Sequence, residues 1–277
     1  MTEAASPPGR PRAGVIDGPA TERATSVLAP NPSPMTLDGT NTWIVAEPDG
    51  RSAVVIDPGP LDEGHLRKVI AAVEESGRRV ALTLLTHGHA DHSAGAARFA
   101  ELTGTPVRAL DPAFRLGGEG LIAGQAVEVD GLVLRVVATP GHTHDSLSFH
   151  IPADGAVLTG DTVLGRGTTM VSHPDGDLGD YLDSLRRLRS MTVDDGVRTV
   201  LPGHGPVLRD AQGAIDYYLV HRAKRLAEVE TAVEDGLRTP AEVVARVYAD
   251  VDRTLWPAAE QSVRAQLEYL RGHGLIE

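Results

Sequence analysis

Thr86-His87-Gly88-His89-Ala90-Asp91-His92 sets three imidazoles and a carboxylate within six residues, and this density decides how the rest of the chain is read. Polar groups packed so closely are costly without an ion to satisfy them, and histidine is the commonest metal ligand. A zinc ion usually takes four ligands, so seven residues of loop cannot enclose two ions unaided. The remaining ligands must come from elsewhere in the chain.

Three later stretches each place one strong ligand beside glycine or proline: Thr139-Pro140-Gly141-His142, Thr159-Gly160-Asp161 and Leu201-Pro202-Gly203-His204. Each follows a short apolar run, as does His87: Val80 to Leu85 before His87, Leu132 to Val137 before His142, Ala156 to Leu158 before Asp161, and Val200-Leu201 before His204. Runs of this length, bounded by turn residues, predict buried strands. The ligands are therefore expected to converge at one edge of a sheet sandwich. His65, His150, His221 and His273 lie outside this pattern and are read as ordinary core or surface histidines.

The His-x-His-x-Asp-His signature with distant His, Asp and His resembles the metallo-β-lactamase superfamily, residue by residue. The resemblance implies an α/β fold, an αββα sandwich. It implies that His87, His89 and His142 hold one metal and Asp91, His92 and His204 a second, with Asp161 bridging both. Two zinc ions are expected, with manganese or iron also compatible with nitrogen and oxygen ligands. An ion with three imidazoles keeps a place for water, whose pKa falls from about 15.7 to about 7 on zinc. A hydroxide shared by the ions would then be the nucleophile of a hydrolase, with Asp91 and Asp161 as catalytic ligands. The chain contains no cysteine. That excludes disulfides and disfavours a lactam antibiotic as substrate, because true β-lactamases of the superfamily commonly use cysteine in one site. His89 stands where the di-iron oxygen-reducing relatives carry glutamate.

Met35 to Val45 reads as a turn entering a strand, with Ala53 to Ile56 as its hairpin partner, ended by Asp57-Pro58-Gly59. By the resemblance Asp57 lies behind the ligands, where a carboxylate accepts the second N–H of a ligating imidazole; a plain turn aspartate is the alternative. Leu66, Val69, Ile70 and Val73 repeat at helical spacing with Gly77 as a stop, and His65 is expected near the solvent edge of that stripe. Ala94 to Leu102 predicts another helix, ended by Gly104. Alternation of strand and helix argues for an α/β sandwich.

Beyond Asp161, the glycine-bracketed Val163 to Met170 predicts a loop at the site. There Arg166 either grips an anionic substrate group or caps neighbouring carbonyls, and Thr168 and Thr169 are candidate hydrogen-bond donors. A leaving alkoxide would need a proton donor. His144, two residues past His142, is the nearest spare imidazole, and His173 serves only if its loop folds back.

Gly39-Thr40-Asn41-Thr42, the Gly-Arg-Gly-Thr-Thr loop and Pro202-Gly203-His204-Gly205-Pro206 with Tyr218-Leu219-Val220-His221-Arg222 are together similar to the β-lactamase-like protein 2 group. That likeness covers nearly everything after the first thirty residues. It implies a C-terminal winged-helix-like domain and places single-stranded RNA first among substrates. Thioester hydrolysis of the glyoxalase II or carrier-protein type is the alternative. The tail supports three helices on its own pattern. Ile215, Leu219, Ala223, Leu226, Val229 and Val233 form one stripe, Thr239-Pro240-Ala241-Glu242 is a capping box, and Trp256-Pro257 opens a helix with Val263, Leu267 and Leu270 inward. The expected division is a flexible leader over 1–30, a catalytic domain over 31–212 and a winged-helix-like domain over 213–277.

With 277 residues, 41% of them hydrophobic, the chain can bury one large core plus an appendage. It has no long apolar span, and its leader is interrupted by Pro7, Pro8, Pro11, Pro19 and Pro30, so the sequence reads as cytoplasmic and without a membrane partner. A formal net charge of -12 repels polyanions at long range. Arg264 and Arg271 on the last helix are outnumbered by Glu260, Glu268 and Glu277, which argues against DNA binding and against a third reading, a non-enzymatic winged-helix regulator. The domain is expected instead to wall a cleft for a small acyl or RNA substrate, or to mediate homodimerisation.

Overall fold

The computed structural model describes residues 16–171 and 173–276. Two sheets face each other. The first runs in the order β1 (Gly18–Pro19), β2 (Ala24–Leu28), β3 (Asn41–Val45), β4 (Ser52–Ile56), β5 (Arg79–Leu84) and β6 (Val107–Arg108). The second contains β7 (Ala126–Val129), β8 (Leu132–Ala138), β9 (Leu147–Ile151), β10 (Ala156–Gly160) and β11 (Thr199–Pro202), in the order β11-β10-β9-β8-β7. Both sheets are mixed: β3 and β4 pair antiparallel as the hairpin pattern predicts, whereas β4–β5 and β10–β11 are parallel.

Successive residues of a strand point to opposite faces, and here both faces are covered. Val54 and Ile56 enter the core between the sheets with Trp43, Leu84, Leu134 and Phe149. Their neighbours Ala53 and Val55 pack outward against Leu66, Val69, Val73 and Phe99 of α1 (Glu63–Glu75) and α3 (Ala96–Thr103). Between these helices lies the single turn α2 (Ala90–Ser93). On the far side α4 (Leu178–Asp194) and α5 (Ala211–Glu234) cover Val157 and Val200 with Leu185, Leu188, Ile215 and Tyr218. The result is the expected αββα arrangement.

The N-terminal segment corrects the leader boundary. Residues 18–28 are not a leader but the first two strands, with Thr25 paired to Ile44, Ala24 and Val27 buried, and Arg23 bridging Glu47 at 2.8 Å and Asp154 at 2.7 Å. Of the prolines that suggested a loose segment, Pro19 and Pro30 flank β2 and leave its ladder N–H groups intact. The part of the expected leader before residue 16 lies outside the described residues.

The C-terminal helices pack as their caps predict. In α6 (Pro240–Val247) the Thr239 hydroxyl accepts from the Glu242 amide while Glu242 accepts from the Thr239 amide. Val243, Val244 and Val247 then meet Val263, Leu267 and Leu270 of α7 (Trp256–Gly272) and Val229 and Val233 of α5. No sharp break falls at residue 212: α5 begins at Ala211, and its first half belongs to the sandwich core while its second half belongs to the appended helices. Its buried stripe also departs from the expected one. Ala223 is exposed and Arg222 is buried, because the helix there faces a loop whose carbonyls need donors, a demand that apolar periodicity does not register.

Candidate metal centre

Four strand ends deliver the ligands. β5 leads into His87, β8 into the turn bearing His142, β10 into Asp161 and β11 into His204, while α2 lifts Asp91 and His92 off the His87 loop. His87 Nε2 and His142 Nε2 lie 3.1 and 3.0 Å from His89 Nδ1. His92 Nε2 lies 3.2 Å from His204 Nε2, which is 3.1 Å from Asp91 Oδ2. Asp161 stands between the groups, one oxygen 3.3 Å from His204 and 3.8 Å from His142, the other 3.4 Å from His92. Two sets of converging donors follow, His87–His89–His142 and Asp91–His92–His204, and a third set joins His87, His92 and Asp161.

The outward hydrogen bonds fix which ring nitrogens converge. His142 Nδ1 donates to the Met170 carbonyl at 2.6 Å and His204 Nδ1 to the Gly39 carbonyl at 3.0 Å. His92 Nδ1 donates to Asp57 Oδ2 at 2.9 Å. The Thr86 hydroxyl donates to the same carboxylate at 2.6 Å and so accepts from His87 Nδ1 at 3.0 Å. In each ring the Nε2 lone pair is therefore aimed inward, where lone pairs 3 Å apart repel unless a cation lies between them. The buried Oδ1 of Asp161 has no hydrogen-bond partner, a second sign that the cluster is built for an ion. At Gly203 a side chain would place its Cβ 2.6 Å from that oxygen and 2.8 Å from His92, so only glycine lets the strand end approach so closely.

Electrostatics divide the cluster. Burial and the neighbouring imidazoles drive His87 well below its ordinary pKa, and burial takes His142 down to about 4. Burial opposes protonation of His92 and His204 too, yet Asp161 and its hydrogen bonds lift the first well above the ordinary value and the second up to about 9. Asp161 is held well below the usual carboxylate range by His204 and His92 despite its burial. Protons at these positions occupy the place of a cation, and metal uptake releases them.

Asp57 sits behind the cluster. Its carboxylate binds the Thr86 amide and hydroxyl as well as His92, and its own carbonyl accepts from Thr42, whose hydroxyl is 2.8 Å from His65 Nε2. His65 is thus buried inside the support rather than at a solvent edge: Gly59 turns the chain over its ring. Asn41, quoted in the Gly-Thr-Asn-Thr motif without a role, ties the first sheet to the His204 loop by donating to the Pro202 and Gly205 carbonyls.

The spare imidazoles go elsewhere. His144 is exposed, with Nδ1 paired to Asp175 and Nε2 3.9 Å from Asp111, and none of its contacts reaches the seven ligand candidates. His173 is paired with Glu268 of α7 at 3.1 Å. Arg166 pairs with Asp38 rather than with a neighbouring carbonyl, and it lines a cleft beside His142 and Asp161. Thr169 bends back to His142, its Oγ1 3.3 Å from Nδ1, while Thr168 lines a cleft.

That cleft, about 410 Å³, opens from His142 and Asp161. One wall is the loop from Leu164 to Met170 with Met35 and Leu37. The other is helical: His221, Arg222 and Arg225 of α5, then Tyr248, Val251, Leu255 and Ala259. Arg222 is buried, donates to the Thr169 carbonyl and lies over the Tyr181 ring at 5.0 Å, so α5 braces the loop that orients His142. Sequence periodicity gave no sign of this arginine.

Residues 35–204 match the model of the metallo-beta-lactamase superfamily. The chain belongs to that superfamily. Residues 239–277 match the beta-lactamase associated winged helix domain. The beta-lactamase-like protein 2 homologue of Caenorhabditis elegans is 30% identical, over 93% of this chain and 87% of the relative. An atrochrysone carboxyl ACP thioesterase of Aspergillus fumigatus is 31% identical, over 89% and 78%. Among solved structures, a metallo-beta-lactamase family protein from Thermus thermophilus superposes with a TM-score of 0.75 at 23% identity, covering 91% of this chain and 94% of its own. Superfamily membership explains why the candidate ligands sit at one sandwich edge, and it makes this chain a metallo-beta-lactamase-fold hydrolase with a candidate divalent-metal site.

Proposed function

We propose that this metallo-beta-lactamase superfamily member is a binuclear, zinc-dependent hydrolase of acyl thioesters or esters. His87, His89 and His142 would hold one ion, Asp91, His92 and His204 the other, with Asp161 between them. When bound, such ions supply a nucleophile from water at neutral pH and polarise the oxygen under attack. The chain's own groups keep the imidazole lone pairs inward through Asp57, Thr86 and the Gly39 and Met170 carbonyls, and bound substrate displaces water from the cleft.

The observation that carries the substrate class is the cleft itself: beside His142 and Asp161 it is lined by Met35, Leu37, Leu164, Met170, Val251 and Leu255. Water adds to the acyl carbon, the C–S bond breaks, and the thiolate leaves without an enzymic proton because a thiol pKa is about 8.5. A single-stranded RNA phosphodiester, placed first by the sequence likeness, releases an alkoxide that needs a proton. The ion pairs of His144 and His173 are with Asp175, Asp111 and Glu268, none of them a ligand candidate, and burial holds His221 at about 4, neutral at physiological pH. The relative from Aspergillus fumigatus named as a thioesterase supports the same reading.

Rates on an acyl thioester and on a labelled single-stranded RNA, measured side by side with wild type and Asp91→Ala, test the proposal. Thioester cleavage lost in the variant is the expected result. RNA cleavage lost in the variant, with no thioester cleavage in wild type, overturns it.

A further inference from the structure

A second cavity of about 320 Å³ adjoins the metal cleft. Leu37, Leu164, Arg166 and Gly167 line both, so the two spaces border the same loop that follows Asp161. Beyond that shared rim the second cavity is walled by Leu208 and by Ala214, Tyr217 and Tyr218 of α5. Two of its polar groups are engaged: the Tyr218 hydroxyl accepts from the Leu164 amide at 2.8 Å, and Arg166 at the rim is paired with Asp38. Aliphatic carbons and tyrosine rings remain.

We infer that this second cavity is an acyl-tail subsite, taking the aliphatic end of an acyl group whose carbonyl lies at the metal centre. The inference rests on the thioester or ester reading above and names its substrate class as medium-chain acyl groups rather than acetyl. Three features point to a substrate tail rather than a separate ligand. The cavity shares four lining residues with the reaction cleft, it offers no uncommitted charged group to hold a headgroup, and both spaces fall within the roughly 300–1,000 Å³ of ordinary ligand sites. The Arg166–Asp38 pair spans the rim between the N-terminal loop and the loop after β10, so a tail reaching the subsite passes beside it.

The test is a series of acetyl, butanoyl, hexanoyl and octanoyl thioesters of one small thiol, with octanoate and acetate binding followed by calorimetry. Burying each added methylene is expected to raise kcat/KM about 3- to 4-fold until the cavity is full. Ala214→Leu fills the cavity and should lower the octanoyl-to-acetyl ratio of kcat/KM at least about ten-fold, and weaken octanoate binding to match. Tyr217→Ala, at a half-buried position that the fold tolerates more readily, should move the preferred length to longer chains. Metal content and melting temperature confirm that both variants are folded. A flat chain-length series in an active wild-type enzyme overturns the subsite while leaving the hydrolase reading intact. If no acyl thioester is cleaved, the hydrolase reading is what fails, and calorimetry decides the subsite alone. Saturable octanoate binding lost in Ala214→Leu supports it; octanoate binding no tighter than acetate overturns it.

Discussion

The two walls of the cleft differ in how they are built. On the sandwich side four of the five converging imidazoles are fixed from behind: Asp57 holds His92 and Thr86, Thr86 holds His87, and backbone carbonyls hold His142 and His204. On the helical side Val251, Leu255 and Ala259 contribute shape, and the arginines are engaged with the protein's own groups, Arg225 with Glu228 and Arg222 with the Thr169 carbonyl. The contrast teaches that the converging groups are placed on rigid strand ends, whereas the helical side gives the cleft its shape and reaches the site only through the loop that Arg222 and Tyr218 brace.

Each wall can be tested. The largest expected effect is Asp161→Ala, which should cost on the order of 10³-fold in turnover and at least one bound metal by elemental analysis. Full turnover in that variant would break the contrast outright. Next comes acid stability. Burial takes His65 down to about 4 from an ordinary 6.5, so the folded protein keeps it neutral. The unfolded chain binds that proton first as pH falls, so stability is fully present above pH 6.5 and is lost between 6.5 and 4. The loss is on the order of 3 kcal/mol, read by denaturant titration, and His65→Gln should flatten the slope. An unchanged slope would show that the backing of the sandwich wall is not set by this group.

A smaller effect sharpens the assignment of Asp57. Asp57→Ala should weaken metal binding about 10- to 100-fold in a competition titration, since the imidazoles lose their orientation. The smallest is expected on the loop at the cleft rim, away from the groups that fix the imidazoles, where Arg166→Ala removes a half-exposed ion pair with Asp38 and should change stability by less than about 1 kcal/mol. A loss like that of Asp57 would erase the distinction.

The ligand set and the sandwich were legible because each ligand follows an apolar run, and such runs read directly as β5, β8, β10 and β11. What stayed hidden depends on long-range packing. Strand β2 lies among prolines and shows itself only when paired with β3, and His65 is buried by Gly59 of a turn and Thr42 of β3, which are distant from it in sequence. His144 looked available from its spacing to His142, yet Asp175, 31 residues on, claims its ring. Arg222 stood in a quoted motif without a role, because its partner is a backbone carbonyl, which leaves no trace in side-chain pattern.

Helix α5 has a practical consequence for anyone trimming this enzyme. At 24 residues it spans about 36 Å, a single beam shared by two modules. A fragment cut at residue 212 would discard Tyr218 and Arg222 along with the appendage, and with them the braces under Leu164 and Thr169. The shortest autonomous catalytic piece therefore ends beyond Arg222, inside what looks from the sequence like the neighbouring domain.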